Sequence, residues 1–322
     1  MTIVSEVRER GFDAVREWAV ELDGLEPARA EPDEEIPEDA ILALADRVRR
    51  WHAAQRPRDV SLEVEPGVVL ERRWFPLETV GVYVPRNLVS TLVMCVVPAQ
   101  VAGVSRIVVC TPPEGAGLVA AAARLLGVDE VWALGGPQAI GYLAYVERVD
   151  KIVGPGNRYV NDAKLEVSRD VAIDLPGGPS EVVVVGNGDA GLVELELAAQ
   201  QEHGPDSVCR AVATLGEAEQ VAPEHLVLLG DAERDADQVR NAGAVFVGPW
   251  SPVAAGDYAT GGNHVLPTSG WARSIGGLGL ETFMKPVTFQ RLTEEGLALV
   301  RPTVEALAAV EGMPAHAAAV RR

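Results

Sequence analysis

Between residues 81 and 175, short runs of β-branched and apolar residues alternate with helical stretches. This rhythm limits the possible folds more than any other feature of the chain. Val82-Tyr83-Val84, 106–111, 130–134, 151–153 and 171–175 read as strands, and 92–102, 117–126, 137–145 and 158–167 read as helices. Each strand-plus-helix unit takes roughly 20 residues, enough for a crossover that returns the chain parallel to itself. Such alternation demands parallel strands joined by right-handed crossovers, and ligands on such sheets bind at the carboxyl ends of the strands. A shorter run follows, with strands at 182–185, 210–214, 226–229 and 244–247 and helices at 191–203 and 231–241. The fold class is therefore α/β: two incomplete doubly wound, Rossmann-like units with helical N- and C-terminal extensions.

The remaining segments fit around that frame. Residues 1–25 carry apolar side chains at helical spacing, as do 38–55, which end near His52. Residues 60–77 read as two strands around Glu65-Pro66-Gly67, 248–267 as a Gly-rich loop, and 288–312 as one helix followed by a last helix at 315–322. The domain reading is a helical arm at 1–25, a first α/β unit from 26–82 plus 183–278, a second from 83–182, and a helical tail at 279–322.

A chain of 322 residues that is 48% hydrophobic can bury a large core. Its net charge of −19, from 28 basic and 47 acidic residues, argues against nucleic-acid and anionic-membrane partners. Cys95, Cys110 and Cys209 are too scattered for a disulfide framework or a thiolate zinc site. The first ten residues are charged and lack the apolar core of a signal peptide. No apolar run reaches the roughly 18 residues of a membrane span. The expected compartment is the cytoplasm.

Gln200 and His203 lie three apart at the end of the 191–203 helix, so a carboxamide and an imidazole share one face before Gly204-Pro205 stops it. That is half a metal site, or simply a polar helix end. Glu224-His225 sets a carboxylate beside an imidazole able to carry protons near neutral pH. Adjacent strand residues face opposite ways, so joint action requires irregular backbone. Asp257 and His264 sit in the Gly-rich loop, and Glu311 and His316 flank Gly312-Met313-Pro314. Gly135-Gly136-Pro137-Gln138, Gly154-Pro155-Gly156-Asn157 and Gly177-Gly178-Pro179-Ser180 are Gly-bearing turns, the first two between a strand and a helix. Such turns let a phosphate approach the backbone. Four of the five histidines fall at element ends or in loops, the distribution of a divalent metal site with a proton shuttle. The nitrogen and oxygen donors alone suit manganese or cobalt as well as zinc.

Several long segments, in order, carry a family resemblance. They are VDKIVGPGN ending at Asn157, GGPSEV from Gly177, QQEHGPD from Gln200, APEHL from Ala222, RNAGAVFVGPWSP from Arg240, GDYATGGNHVLPT from Gly256 and EGMPAHAAAV from Glu311. From about Val4 to Val320 the chain resembles histidinol dehydrogenase, the zinc- and NAD-dependent family that completes histidine biosynthesis. The resemblance implies zinc ligands at Gln200, His203, Asp257 and His316, and catalysis by Glu224 and His225. It implies substrate contacts from Ser180 and Glu311 besides the zinc ligands and His225, and NAD contacts from Tyr83, Gln138 and Asn157. It also implies oxidation of L-histidinol through the aldehyde to L-histidine, in a homodimer whose His316 and Glu311 reach the other subunit's site.

The chain departs from the family pattern in places. Its N-terminal arm is shorter, Arg86-Asn87 stands where a Gly-Gly loop is usual, and Gly204 replaces a common acidic residue. The stretches at 145–149 and between Asp206 and Glu224 are shortened, the second strongly. Two competing readings are a paralogue acting on another small amino or hydroxy alcohol, and a non-catalytic zinc-binding relative. The retained ligands oppose the first, and the retained Glu224 and His225 oppose the second.

Overall fold

The computed structural model describes residues 2–321. It divides into two compact units: the chain up to Arg56 with Leu77–Phe283, and Pro57–Pro76 with the chain from Met284 on. The larger unit starts with α1 (Ile3–Arg10) and α2 (Phe12–Leu22). Thr2 and Ser5 form a reciprocal capping box on α1, and Gly11, at φ 64, parts the two helices. A two-residue strand, β1 (Ala28–Arg29), follows. Next come α3 (Glu38–Ala54) and then β2 (Val60–Glu65) and β3 (Val68–Pro76), a hairpin of the smaller unit.

The strand-and-helix rhythm then runs as expected. It comprises β4 (Thr79–Tyr83), α4 (Val89–Ala102), β5 (Arg106–Thr111), α5 (Ala116–Leu125), β6 (Val131–Ala133), α6 (Gly136–Gly141), β7 (Lys151–Val153), α7 (Arg158–Val167) and β8 (Ala172–Ile173). These strands order as β1-β6-β5-β4-β7-β8, all parallel except β1. From β4 the chain steps outward through β5 to β6, then returns to lay β7 on the other side of β4. The direction of crossing therefore reverses between β4 and β7. On one face Val108, Cys110 and Ile152 pack with Val4, Val7, Val15, Ile140, Leu143, Val160 and Val167. α4 is apolar all round and accordingly buried, with α3 packed along it.

A second parallel sheet, ordered β10-β9-β11-β12, follows. Its elements are β9 (Glu181–Gly186), α8 (Ala190–Gln201), β10 (Val208–Val212), α9 (Leu215–Val221), β11 (His225–Leu229), β12 (Ala244–Val247) and α10 (Val253–Tyr258). Alternate residues of β9 and β11 feed two cores: Val183, Val185, Leu226 and Leu228 on one face, Val182, Val184, Val227 and Leu229 on the other. The connection from β10 to β11 passes over β9 with only α9 in it. α9 is secured by its own capping box, Thr214 with Glu217. The pattern at 231–241 reads as an α-helix, but the chain forms a 3-10 turn over Gly230–Gln238, and α10 interrupts the expected loop at 248–267.

In the smaller unit, β13 (Met284–Leu292) pairs antiparallel with β3, giving the order β13-β3-β2; α11 (Glu294–Val310) and α12 (Pro314–Ala319) follow. This corrects the reading of 288–312 as one helix: nine residues of pairing with β3 hold the first part extended, and Thr293 caps the helix that begins after it. The hairpin at 57–76 thus groups with the C-terminal segment, not with 183–278, because its free edge is completed by β13. A Cβ on Gly296 would lie 2.2 Å from the carbonyl oxygen of Gly67, so the hairpin turn seats directly on the start of α11.

Candidate functional site

Of the residues expected to do chemistry, Ser180, Gln200, Glu224, His225 and Asp257 meet at the amino ends of β9 and β11, not at the carboxyl ends where parallel sheets usually bind ligands. Three elements bring them there. α8 runs back along the sheet and delivers Gln200, which is 2% exposed. Ala222 closes α9 in the left-handed region at φ 52, and Pro223 then turns Glu224 and His225 into the start of β11. A non-glycine residue held there costs about 1–2 kcal/mol, local strain of the kind that clusters at working sites. α10 supplies Asp257.

The backbone of one residue organises the pair. The N–H of Glu181 donates to Glu224 Oε2 at 2.9 Å, and the carbonyl of Glu181 accepts from His225 Nδ1 at 3.1 Å. Both side chains therefore work over one residue of β9 although they are adjacent in sequence. Ser180 Oγ donates to Glu224 Oε2 at 2.5 Å and accepts from Gln200 Nε2 at 2.7 Å. With its Nδ1 proton engaged, His225 presents the lone pair of Nε2, 3.8 Å from Asp257 Oδ1. His225 Nε2 and Gln200 Oε1 are buried and have no hydrogen-bond partner. Buried polar atoms are normally paired, so two orphans on residues linked through Ser180 and Glu224 mark a place for a ligand. Burial raises the carboxyl of Glu224 to about 7, against the opposing hydrogen bonds from Ser180 and Glu181. Burial also raises Asp257 and lowers His225.

His203 stands just past the end of α8 in a turn, with its ring against the carbonyl of Gln200 at 3.3 Å. Glu311 follows α11, and His316 lies on α12; both are exposed in the smaller unit. Among the described residues no three His, Cys, Asp or Glu side chains gather as a cage for a metal. The larger unit offers an amide oxygen, an imidazole and a carboxylate instead, a nitrogen and oxygen donor set that fits zinc, with the orphaned Gln200 Oε1 as its clearest mark. His264 is a support: its Nδ1 meets the carbonyl of Asp257 at 3.0 Å and its Nε2 meets Thr91 Oγ1 at 3.1 Å, so both ring nitrogens are spent. His52 is likewise buried structure, bonded to the carbonyl of Val48 at 2.7 Å.

The second group lies at the carboxyl ends of the first sheet, where the crossing direction reverses. Tyr83 ends β4, and its hydroxyl accepts from the N–H of Gly136 at 3.3 Å. Gln138 is fully buried, with Oε1 lacking a partner. The turn at 135–138, expected to face a phosphate, already holds a carboxylate: Asp23, at the end of α2, accepts from Gly135 N and Gln138 Nε2, each at 3.1 Å. Asn157 is exposed and caps α7, accepting from Val160 N at 3.1 Å. Beside it Gly154, at φ 108, would place a Cβ 2.1 Å from the carbonyl oxygen of Tyr83, so only glycine lets the strand ends close up.

Segment 174–180 leaves the carboxyl end of β8 and enters the amino end of β9, so at most about 25 Å of chain separates those two strand ends. Gly177 fits against Asn161 of α7, and Gly178 against Thr268 and Ser269. Sequence reasoning missed the organising role of Glu181. Its side chain is buried, accepts from Ser269 N at 2.9 Å and leaves Oε2 without a partner. An acidic residue opening an otherwise apolar strand was the available signal. Two surface hollows, of about 220 and 550 Å³, lie along 29–38 and 120–131 and are lined by no residue of either group.

A model of the family described as histidinol dehydrogenase matches residues 1–218 and 213–322, the two stretches meeting inside the shortened segment before β11. Histidinol dehydrogenase of Methanosarcina barkeri is 40% identical over 390 aligned positions, covering 99% of this chain and 90% of that one. An alignment longer than 322 residues means that the relative carries extra segments. The crystal structure of histidinol dehydrogenase from Elizabethkingia anophelis superimposes with a TM-score of 0.90 at 32% identity, covering 99% of this chain and 89% of that one. An acetylating aldehyde dehydrogenase from Geobacillus thermoglucosidasius, at TM-score 0.51 and 10% identity over 89% of this chain and 96% of its own, shares the fold alone. The chain has mixed α/β architecture with parallel sheets, no described helix long and apolar enough to cross a membrane, and membership in the histidinol dehydrogenase family.

Proposed function

We propose that the protein oxidises L-histidinol to L-histidine in two NAD-dependent steps. In this reading the two parallel sheets form doubly wound units. NAD would lie at the carboxyl ends of β4, β6 and β7 near Tyr83, Gln138 and Asn157, and Gln200, His203 and Asp257 would hold zinc together with His316 of a second copy. The observation that carries it is the pair of buried, partnerless atoms, Gln200 Oε1 and His225 Nε2, beside a carboxyl held near neutrality. When bound, zinc anchors the amine and imidazole of the substrate and NAD accepts hydride.

The chain's own groups manage the protons. The carbonyl of Glu181 fixes the tautomer of His225, so Nε2 is the basic nitrogen and takes the hydroxyl proton as hydride leaves the carbinol carbon. Glu224 then removes a proton from the water that adds to the aldehyde, and its raised value suits that task near neutral pH. The aldehyde oxygen takes the proton held on His225, giving the hydrate, and a hydrate hydroxyl then returns a proton to His225 as the second hydride leaves, giving the acid. Ser180 keeps Glu224 and Gln200 in register through its hydroxyl. Glu311 and His316, exposed in the smaller unit, serve the site of a second copy, making the working form a homodimer.

The test is purified protein with zinc, NAD and L-histidinol, followed by absorbance of NADH. Two NADH per histidinol are expected. Turnover of other alcohols but not histidinol would move the substrate to another small amino alcohol. No turnover of any alcohol by zinc-loaded protein would make the chain a non-catalytic relative.

A further inference from the structure

Lys164 lies on the buried face of α7, in register with Val160, Ala163 and Val167. That spacing calls for an apolar residue. The Nζ of Lys164 instead meets Asp174 Oδ1 at 2.5 Å, with the two side chains 3% and 1% exposed. Each partner then grips the same backbone unit. Lys164 Nζ donates to the carbonyl of Gly154 at 2.8 Å, and the N–H of Gly154 donates to Asp174 Oδ2 at 2.7 Å. Asp174 also accepts from Leu175 N at 2.7 Å. One turn earlier on α7, Asn161 Nδ2 donates to the carbonyl of Gly156 at 3.0 Å.

An ion pair withdrawn from water recovers little net stability, and an apolar pair of similar volume would hold α7 on the sheet at least as well. What an apolar pair could not do is hold both polar ends of Gly154 while that residue lies against Tyr83 O, where no Cβ fits. We infer that Lys164 and Asp174 are positioning residues that preset the loop 154–157 to receive the phosphate-bearing part of NAD. This rests on the reading that the carboxyl ends of β4 and β7 take that cofactor. Neither residue need touch NAD: the pair fixes Gly154, Gly154 fixes the start of the loop, and Asn157 at its end caps α7.

The test is the double variant Lys164→Met/Asp174→Leu, which removes both charges together and leaves neither stranded. Calorimetric affinity for NAD alone is expected to fall about tenfold or more, with KM for NAD rising in step, since small misplacements of binding groups cost that much. kcat at saturating NAD and KM for L-histidinol should stay within about threefold of the parent, the pattern of lost cofactor binding only. Amide exchange at 154–157 should also quicken. A variant that melts at a different temperature yet binds NAD as the parent does would reduce the pair to scaffold and overturn the inference. If the double variant does not fold, Asp174→Asn, which keeps the volume, is judged by the same criteria. Asn157→Ala separates the two levels. Affinity lost there but kept in the ion-pair variants defeats this inference alone. Affinity kept in Asn157→Ala defeats the cofactor reading and this inference with it.

Discussion

Replacing Glu224 with glutamine should stabilise the folded protein while abolishing its work. Glu224 accepts from Ser180 and from the backbone of Glu181, and a glutamine oxygen can accept both bonds. What differs is the charge. Burial raises the carboxyl from 4.5 to about 7. The contribution of this carboxyl to the parent's stability is therefore complete below about 4.5, is lost as pH climbs to about 7, and is level above that. The interval is worth about 3 kcal/mol at 1.36 kcal/mol per pH unit, more than a hundredfold in the folding equilibrium. Glutamine carries no such penalty. Urea unfolding of chelator-treated protein should therefore give parent and Glu224→Gln nearly equal stability at pH 4, with the variant ahead by about 3 kcal/mol at pH 8. Histidinol turnover by the zinc-loaded variant should be lost at both. A gain in stability from removing a charged residue is the mark of a group retained for function. Equal stability of the two proteins at pH 8 would refute the claim that this carboxylate is desolvated.

Burial depresses His52 and takes His264 down to about 4, so both are neutral when folded while the unfolded chain binds protons from about 6.5 downward. The contribution of His264 to stability is complete above that pH and is lost as pH falls towards 4; His264→Gln should flatten that loss in urea titrations taken against the parent at each pH. His225→Asn should stop NADH formation while zinc content by mass spectrometry is unchanged, and loss of zinc would contradict its role as base. Mixing inactive His316→Ala and His225→Asn proteins should restore activity in heterodimers, and confirmed heterodimers without activity would locate the whole site in one chain. Ser180→Ala leaves buried Gln200 Nε2 without its partner and should cost about 1–3 kcal/mol in thermal unfolding; a smaller cost would mean the amide finds another acceptor.

Local periodicity carried the first sheet well, because a fully buried parallel strand and an amphipathic helix leave different spacings in the sequence. The 158–167 helix is legible to the residue. At 284–292 the signal failed, since extended structure there comes from pairing with β3, a partner more than two hundred residues away. The candidate site was legible as residue types, and its assembly was not. Nothing linear announces that the backbone of Glu181 binds both Glu224 and His225, or that Asp23 fills the turn at 135–138. Lys164 was the exception that could have been read: a charge on an apolar stripe is a local inconsistency, and such inconsistencies gather where function is placed.

The path from β10 to β11 has a consequence for how much shorter this enzyme could become. It must pass over β9, a lateral step of two strand spacings or roughly 10 Å, while climbing back to the opposite end of the sheet. Residues 213–224 do this with one capped helix. A parallel return needs about a dozen residues at the least, and this segment already stands at that floor. Its far end is Glu224 itself. Any further deletion here would pull on the carboxylate directly, so this boundary of the fold is set by the reach of the chain and no longer by packing.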